Sequence, residues 1–275
     1  MPPTTGLRAR MRLELTGEIK DEARRQLAAE GASGLSLRAV TRALGMASSA
    51  IYRYFPSRDH LLTALIVDAY DALGAAAESA DAGCARGDHG GRWRAVGLGI
   101  RSWALAHPHE YALVYGSPVP GYRAPEDTIG PASRVTLVLA AIVDDAARSG
   151  GLAPLADGGG LPPLDAAVLE ECRRLADLAF PHAPDEVVVR AVIAWTQLFG
   201  MISFELFGHF HSVIELVEPV FDRALLETGR MVGFAGPVGG RRSVGEATAP
   251  RTGSPADLSD PVDPTAGDDE AFYLI

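Results

Sequence analysis

With 275 residues, 47% of them hydrophobic, the chain can bury a substantial core in one large domain or two ordinary ones. Its net charge of −10 argues against nucleic acid as a partner until the distribution is read: residues 1–60 hold ten basic and six acidic side chains, the remainder fifteen and twenty-nine. A basic N-terminal lobe on an acidic body points to a separate module that faces nucleic acid.

No uninterrupted apolar run reaches the length of a membrane span, about 18 residues. The N-terminal MPPTTGLRARMRLEL has arginines but no apolar segment, so it does not read as a secretory signal. Cys84 and Cys172 lack metal-ligand spacing and make a poor disulfide framework, which suits free thiols in a cytoplasmic protein with no membrane contact.

In chain order, Leu15, Ile19, Ala23 and Leu27 form one apolar stripe and predict a helix from about Arg12 to Glu30, ended by Gly31. Ser36 is placed to cap a second helix on which Leu37, Val40 and Leu44 face inward, with Gly45 at the following turn. A short third helix, about Ala47–Phe55, packs Ile51 and Phe55 and leaves Ser48, Ser49, Tyr52 and Arg53 on other faces. Pro56 forces Phe55 out of helical geometry, and Ser57 caps a fourth helix running to about Glu78.

A Gly-rich loop at 80–91 precedes an amphipathic helix carrying Trp93, Val96, Ile100, Trp103 and His107, and His109–Tyr115 follow Pro108 as a short turn or two. Further helices are predicted at about Ala132–Ala147, Asp165–Phe180, Pro184–Phe210 and Val213–Val232. No β-alternation occurs before residue 233, so the fold class is all-α, with roughly nine or ten helices in two unequal parts. The expected domains are 8–56, a three-helix helix-turn-helix unit; 57–232, a larger helical domain; and 233–275, an acidic tail too polar to bury a core, ending in AFYLI.

The pair of helices across Ser36–Phe55 has the parts of a helix-turn-helix: internal packing residues, a turn glycine, and a second helix with a free outer face. Across about Arg12–Leu65 the segments LAAEG, SLRAVTRALG and AIYRYFPSRDHLL resemble the N-terminal domain of the TetR family of transcriptional regulators. The resemblance implies that Tyr52, Tyr54, Arg58 and Ser36 contact phosphates and that Ser48, Ser49 and Arg53 approach base edges. Of these, Arg53 has the bidentate geometry that suits guanine. Two positions depart from the family pattern: Thr41 replaces a small residue, and Ala47 replaces the serine that caps the third helix, a task Ser48 could assume.

In the second domain, AWTQLFGMISFELFGHF resembles the ligand domain of TetR regulators named for a Trp-His-Gly motif; Trp195 and Gly200 match, and Phe199 stands where the motif has histidine. Large aromatic side chains on several helices either fill a core or enclose an apolar cavity. On the second reading Trp93, Trp103, Tyr111, Tyr115, Trp195 and Phe199 line a small-molecule site. The histidines have no metal-ligand spacing, and no catalytic motif is present, so no enzyme, metal or cofactor is expected. The implied protein is a homodimeric repressor that binds a near-palindromic operator in double-stranded DNA and is released by a small apolar effector. The alternative is a constitutive DNA-organising or partner-binding dimer with no small-molecule ligand.

Overall fold

The computed structural model describes residues 4–153 and 162–235, and among these the chain is all-α, its only β-pairing an isolated antiparallel bridge between Leu152 and Phe234. The expected tail from Gly233, with its terminal AFYLI, lies outside the described residues except at its first three positions. There Phe234 is buried, its ring 5.8 Å from that of Trp93.

The first helix, α1, spans Thr4–Gly34 and so begins well before the expected start at Arg12. Periodicity detects the buried stripe, which begins only at Leu15; the preceding Leu, Arg, Ala and Met residues are good helix formers that carry the helix on without burying a face. Gly31, at φ 70°, interrupts α1 with a backbone conformation that L side chains rarely adopt. The second helix, α2 (Leu37–Ala43), is capped by Ser36, whose Oγ accepts from the Ala39 N–H at 3.4 Å. Thr41 is buried where a small residue was expected, and its hydroxyl is satisfied by the Arg38 carbonyl at 3.0 Å.

The third helix, α3 (Arg58–Ala82), is followed by α4 (His89–Ala106), α5 (Pro108–Tyr115), α6 (Ile129–Arg148), α7 (Ala166–Ala179), α8 (Asp185–Leu206) and α9 (Val217–Val232). The loop expected at 80–91 is shorter, because Asp88 caps α4 by accepting from the Gly91 N–H at 2.8 Å. The long apolar helix ends before Phe210: Gly208 at φ 80° and Ser212 at φ 60° turn the chain, and α9 starts beyond them.

Two hydrophobic clusters form. One gathers Ile19, Ala23 and Leu27 of α1, Leu37 and Val40 of α2, Ile51 and Phe55, and the first half of α3 from Leu61 to Ile66. The other takes the second half of α3 from Ala69 to Ala77 together with α4 to α9. The seam between the cores therefore passes through α3, not at Pro56, so a boundary drawn at 56/57 cuts into the first core. By length and hydropathy α3 and α8 could cross a membrane, but α3 is a core helix, burying Leu61, Leu62, Leu65 and Leu73 completely or almost so.

Ion pairs pin the second unit. Arg92, 1% exposed, reaches Asp81 at the end of α3 through Nε at 2.7 Å and Asp145 at the end of α6 through Nη1 at 2.9 Å. Arg101 on α4 pairs with Glu205 on α8 at 2.6 Å, and its guanidinium lies 5.3 Å from the ring centroid of Phe221 on α9. Cys84 and Cys172 are free thiols, and burial pushes the Cys172 thiol up from its ordinary pKa.

Candidate nucleic-acid interface and effector cavity

The segment expected as the third helix is a run of tight turns that closes in a 3-10 helix at Ile51–Arg53. Its backbone bonds are mostly of the i to i+3 kind: Ala50 N–H to Ala47 O at 2.8 Å, Arg53 N–H to Ala50 O at 3.2 Å, Tyr54 N–H to Ile51 O at 2.8 Å. The cause is legible at its start. Ala47 offers no side-chain acceptor, Ser48 makes no capping bond in its place, and an uncapped segment this short gains little from α-helical propagation. We refer to residues 47–54 as the reading turn.

Ile51 and Phe55 are buried beneath it, as expected, and Ser48, Ser49, Tyr52 and Arg53 are exposed together on its outer side. Tyr52 is 52% exposed, free to meet a partner through both ring and hydroxyl. Tyr54 is half-buried, with the Arg12 guanidinium 5.6 Å from its ring centroid. Ser36 is occupied as an acceptor in the α2 cap, but its O–H can still donate.

Arg58, implied by the resemblance as a phosphate contact, is engaged within the protein. Its Nε donates to the Leu35 carbonyl at 3.0 Å and its Nη2 to the Ala32 carbonyl at 2.7 Å, so it clasps the α1–α2 connection. Nη1 lies 3.6 Å from Asp59, leaving little of the guanidinium to offer a phosphate.

Arg12 takes a role that no periodicity or motif announces. Its Nη2 donates to the Arg53 carbonyl at 3.1 Å and so ties α1 to the reading turn across 41 positions of chain. The ten cations of the lobe fall into two groups. Lys20, Arg24, Arg25 and Arg58 are held in ion pairs with Asp68, Glu110, Glu22 or Asp59. Arg8, Arg10, Arg12, Arg38, Arg42 and Arg53 form no ion pair with a described residue, and all six are exposed. The uncompensated positive charge thus sits on early α1, on α2 and on the reading turn.

Of the six side chains expected around a small molecule, two line a cavity. A hollow of 270 Å³ lies among Trp93 of α4, Leu139 and Val143 of α6, Leu175 of α7, and Ala191 and Trp195 of α8. Trp93 Nε1 donates to Thr228 Oγ1 at 3.2 Å, whereas Trp195 Nε1 is buried with no partner among the described residues. The other four fill the core. Tyr115 stacks on Phe199 with centroids 4.3 Å apart and on Tyr111 at 5.2 Å, and Trp103 stacks on His107 at 4.9 Å. The Tyr111 hydroxyl is bonded to Ser203 at 2.9 Å. Burial, reinforced by the neighbouring phenols Tyr70 and Tyr111, pushes the Tyr115 hydroxyl far up, so it stays neutral at any physiological pH. A larger hollow of 640 Å³ opens between α3, the 116–124 loop and the start of α6, near the bond of 3.3 Å that the Tyr70 hydroxyl donates to the Val114 carbonyl.

These two regions fall inside segments that other proteins share. Residues 19–65 match the family model for bacterial regulatory proteins of the tetR family, and residues 93–228 match that for the tetracyclin repressor-like C-terminal domain. The HTH-type transcriptional regulators Rv1816 of Mycobacterium tuberculosis and Mb1846 of Mycobacterium bovis are each 39% identical over 220 residues, spanning 79% of this chain and 92% of theirs. Among solved structures, the regulatory protein SCO4313 is 33% identical with a TM-score of 0.65, over 80% of this chain and 97% of that one. A tetR-family regulatory protein from Rhodococcus RHA1, 19% identical with a TM-score of 0.53 over 80% of this chain and 98% of its own, shares the fold.

Proposed function

This chain belongs to the TetR family of bacterial regulatory proteins, DNA-binding transcriptional regulators rather than enzymes, and on that footing we propose that it is a homodimeric repressor released from a near-palindromic operator by a small, neutral, apolar effector. The observation that carries the effector reading is the 270 Å³ hollow between α4, α6, α7 and α8, lined by aliphatic side chains, Trp93, Trp195, Phe180 and Thr136. No described ion pair borders it, so a charged ligand would lose its hydration without compensation.

Side chains at the other end of the reading support its parts. Ser48, Ser49 and Arg53 suit base edges, and Tyr52, Tyr54 and Ser36 suit phosphates. Arg58 fits better as the clasp that holds the reading domain together. A line of contacts joins the cavity to this surface: Trp195 meets Phe199 at 6.1 Å, Phe199 stacks on Tyr115 of α5, and Glu110 at the start of α5 pairs with Arg24 of α1. Ile193, Phe204 and Phe207 on and just beyond α8, and Leu216 and Val220 at α9, are exposed apolar side chains suited to meeting a second copy.

The test begins with an operator selected from random duplexes by the full-length protein, followed by titration of the complex with a panel of neutral apolar compounds. A compound should raise the melting temperature and release DNA, and Ala191→Leu, which fills part of the cavity, should abolish both effects while leaving DNA binding intact. No release across the panel would instead favour the constitutive dimer, and unchanged release from Ala191→Leu would place the effector site outside this hollow.

A further inference from the structure

The first turns of α1 have no counterpart in the matched family segment, which begins at residue 19, yet they are helical from Thr4 and continuous with the helix that braces the reading turn. No acidic side chain precedes Glu14, whereas Arg8, Arg10 and Arg12 do. Arg12 fixes the direction of this segment: it bonds the Arg53 carbonyl and lies against Tyr54, so the face of α1 that carries it is turned toward the reading turn. Arg8 stands one turn earlier on the same face, about 6 Å further along the axis, while Arg10 points to the opposite side. Arg8 is exposed and forms no ion pair with a described residue.

We propose that α1 ahead of Glu14 is a DNA-backbone arm, in which Arg8 pairs with a phosphate flanking the bases met by the reading turn and Arg12 positions it. The occupant is duplex DNA because the face is positive, free of acidic side chains, and continuous through Arg12 with the exposed residues Tyr52 and Arg53. The contact is independent of sequence, since phosphates carry no base information. It rests on the reading turn lying against DNA, and the experiment separates the two.

Full-length protein, Arg8→Ala, Arg10→Ala and Arg53→Ala are titrated against salt on the selected operator with native flanks, on the same operator trimmed to its core, and on a mixed-sequence duplex. Arg8→Ala should lower the slope of log K against log salt by about 0.9, the share of one phosphate contact, on the flanked operator and on the mixed duplex. The trimmed operator should show no difference between Arg8→Ala and wild type, and Arg10→Ala should change the slope far less on every duplex. Equal effects of Arg8→Ala and Arg10→Ala would reduce the arm to net charge and overturn the assignment, as would an unchanged slope for Arg8→Ala. If Arg53→Ala leaves base preference intact, the reading-turn assignment falls, and the mixed duplex still decides the arm.

Discussion

Arg24 on α1 donates through Nε to Oε1 of Glu110 on α5 at 3.1 Å, and its Nη2 reaches Asp68 on α3 at 2.7 Å. One guanidinium therefore ties α1 both to α3, the helix that the two cores share, and to α5 of the second core. Glu110 lies next to Tyr111 and one turn before Tyr115, the side chains packed against Phe199, so displacement of α8 by an effector has a short route to α1. Glu110→Ala should leave operator affinity near wild type but weaken the effector's influence on it. Coupling of ordinary size, roughly 5–150-fold, should shrink toward unity. Operator titrations with and without effector measure this; full coupling in the variant would remove the Arg24–Glu110 pair from the route.

The reading turn and its clasp separate two kinds of loss. Arg53→Ala should relax base preference at one position per half-site, at about 1–3 kcal/mol, while Tyr52→Phe weakens all sequences alike. Arg58→Ala should differ from both. It removes two charge-assisted bonds to the Leu35 and Ala32 carbonyls, so a lowered melting temperature should accompany any loss of binding. If Arg58→Ala weakens DNA binding at unchanged melting temperature, Arg58 is a phosphate contact after all.

That contrast shows which features were legible in the sequence. The stripe Ile19–Ala23–Leu27 and the buried pair Ile51 and Phe55 could be read because burial repeats with the period of the helix. The clasp could not, because a guanidinium bonding carbonyls more than twenty positions away leaves no periodic trace. The extra turns before Arg12 were invisible for the related reason that they bury no stripe. The six aromatic residues were found as a group, but only packing distinguishes Trp93 and Trp195, which border a hollow, from Trp103, Tyr111, Tyr115 and Phe199, which fill space.

The exposed apolar side chains of α8 and α9 make the oligomer testable. Phe204, 52% exposed, lies on α8 outside the cavity and has Phe210 beside it at 5.8 Å. Phe204→Glu would bring a charge into an interface built from such residues and should shift the protein to monomer in sedimentation, with the fold retained by circular dichroism. Operator binding should fall sharply, since a monomer meets only one half-site. A dimer that withstands this change would place the interface elsewhere.

The buried Arg92 makes a prediction in pH. Burial alone would raise the carboxyls of Asp81 and Asp145, but hydrogen bonds from the guanidinium groups, Arg92 and Arg86 on Asp81 and Arg148 and Arg92 on Asp145, outweigh it and hold both below the usual carboxylate range. A carboxyl depressed in the folded state contributes stability that is complete above its unfolded pKa, about 3.9, and is lost as pH falls toward the folded value. Stability should therefore drop from about pH 5 downward as these carboxylates take up protons. Arg92→Met removes the partner that Asp81 and Asp145 share while Arg86 and Arg148 stay on them, so it should lower stability at neutral pH by less than the roughly 3–5 kcal/mol of a fully broken buried pair. Because that variant has already lost the interaction, its urea midpoint should decline less than that of wild type between pH 5 and pH 3. Parallel declines would show that other carboxylates, and not the Asp81–Arg92–Asp145 triad, set the acid limit of the fold.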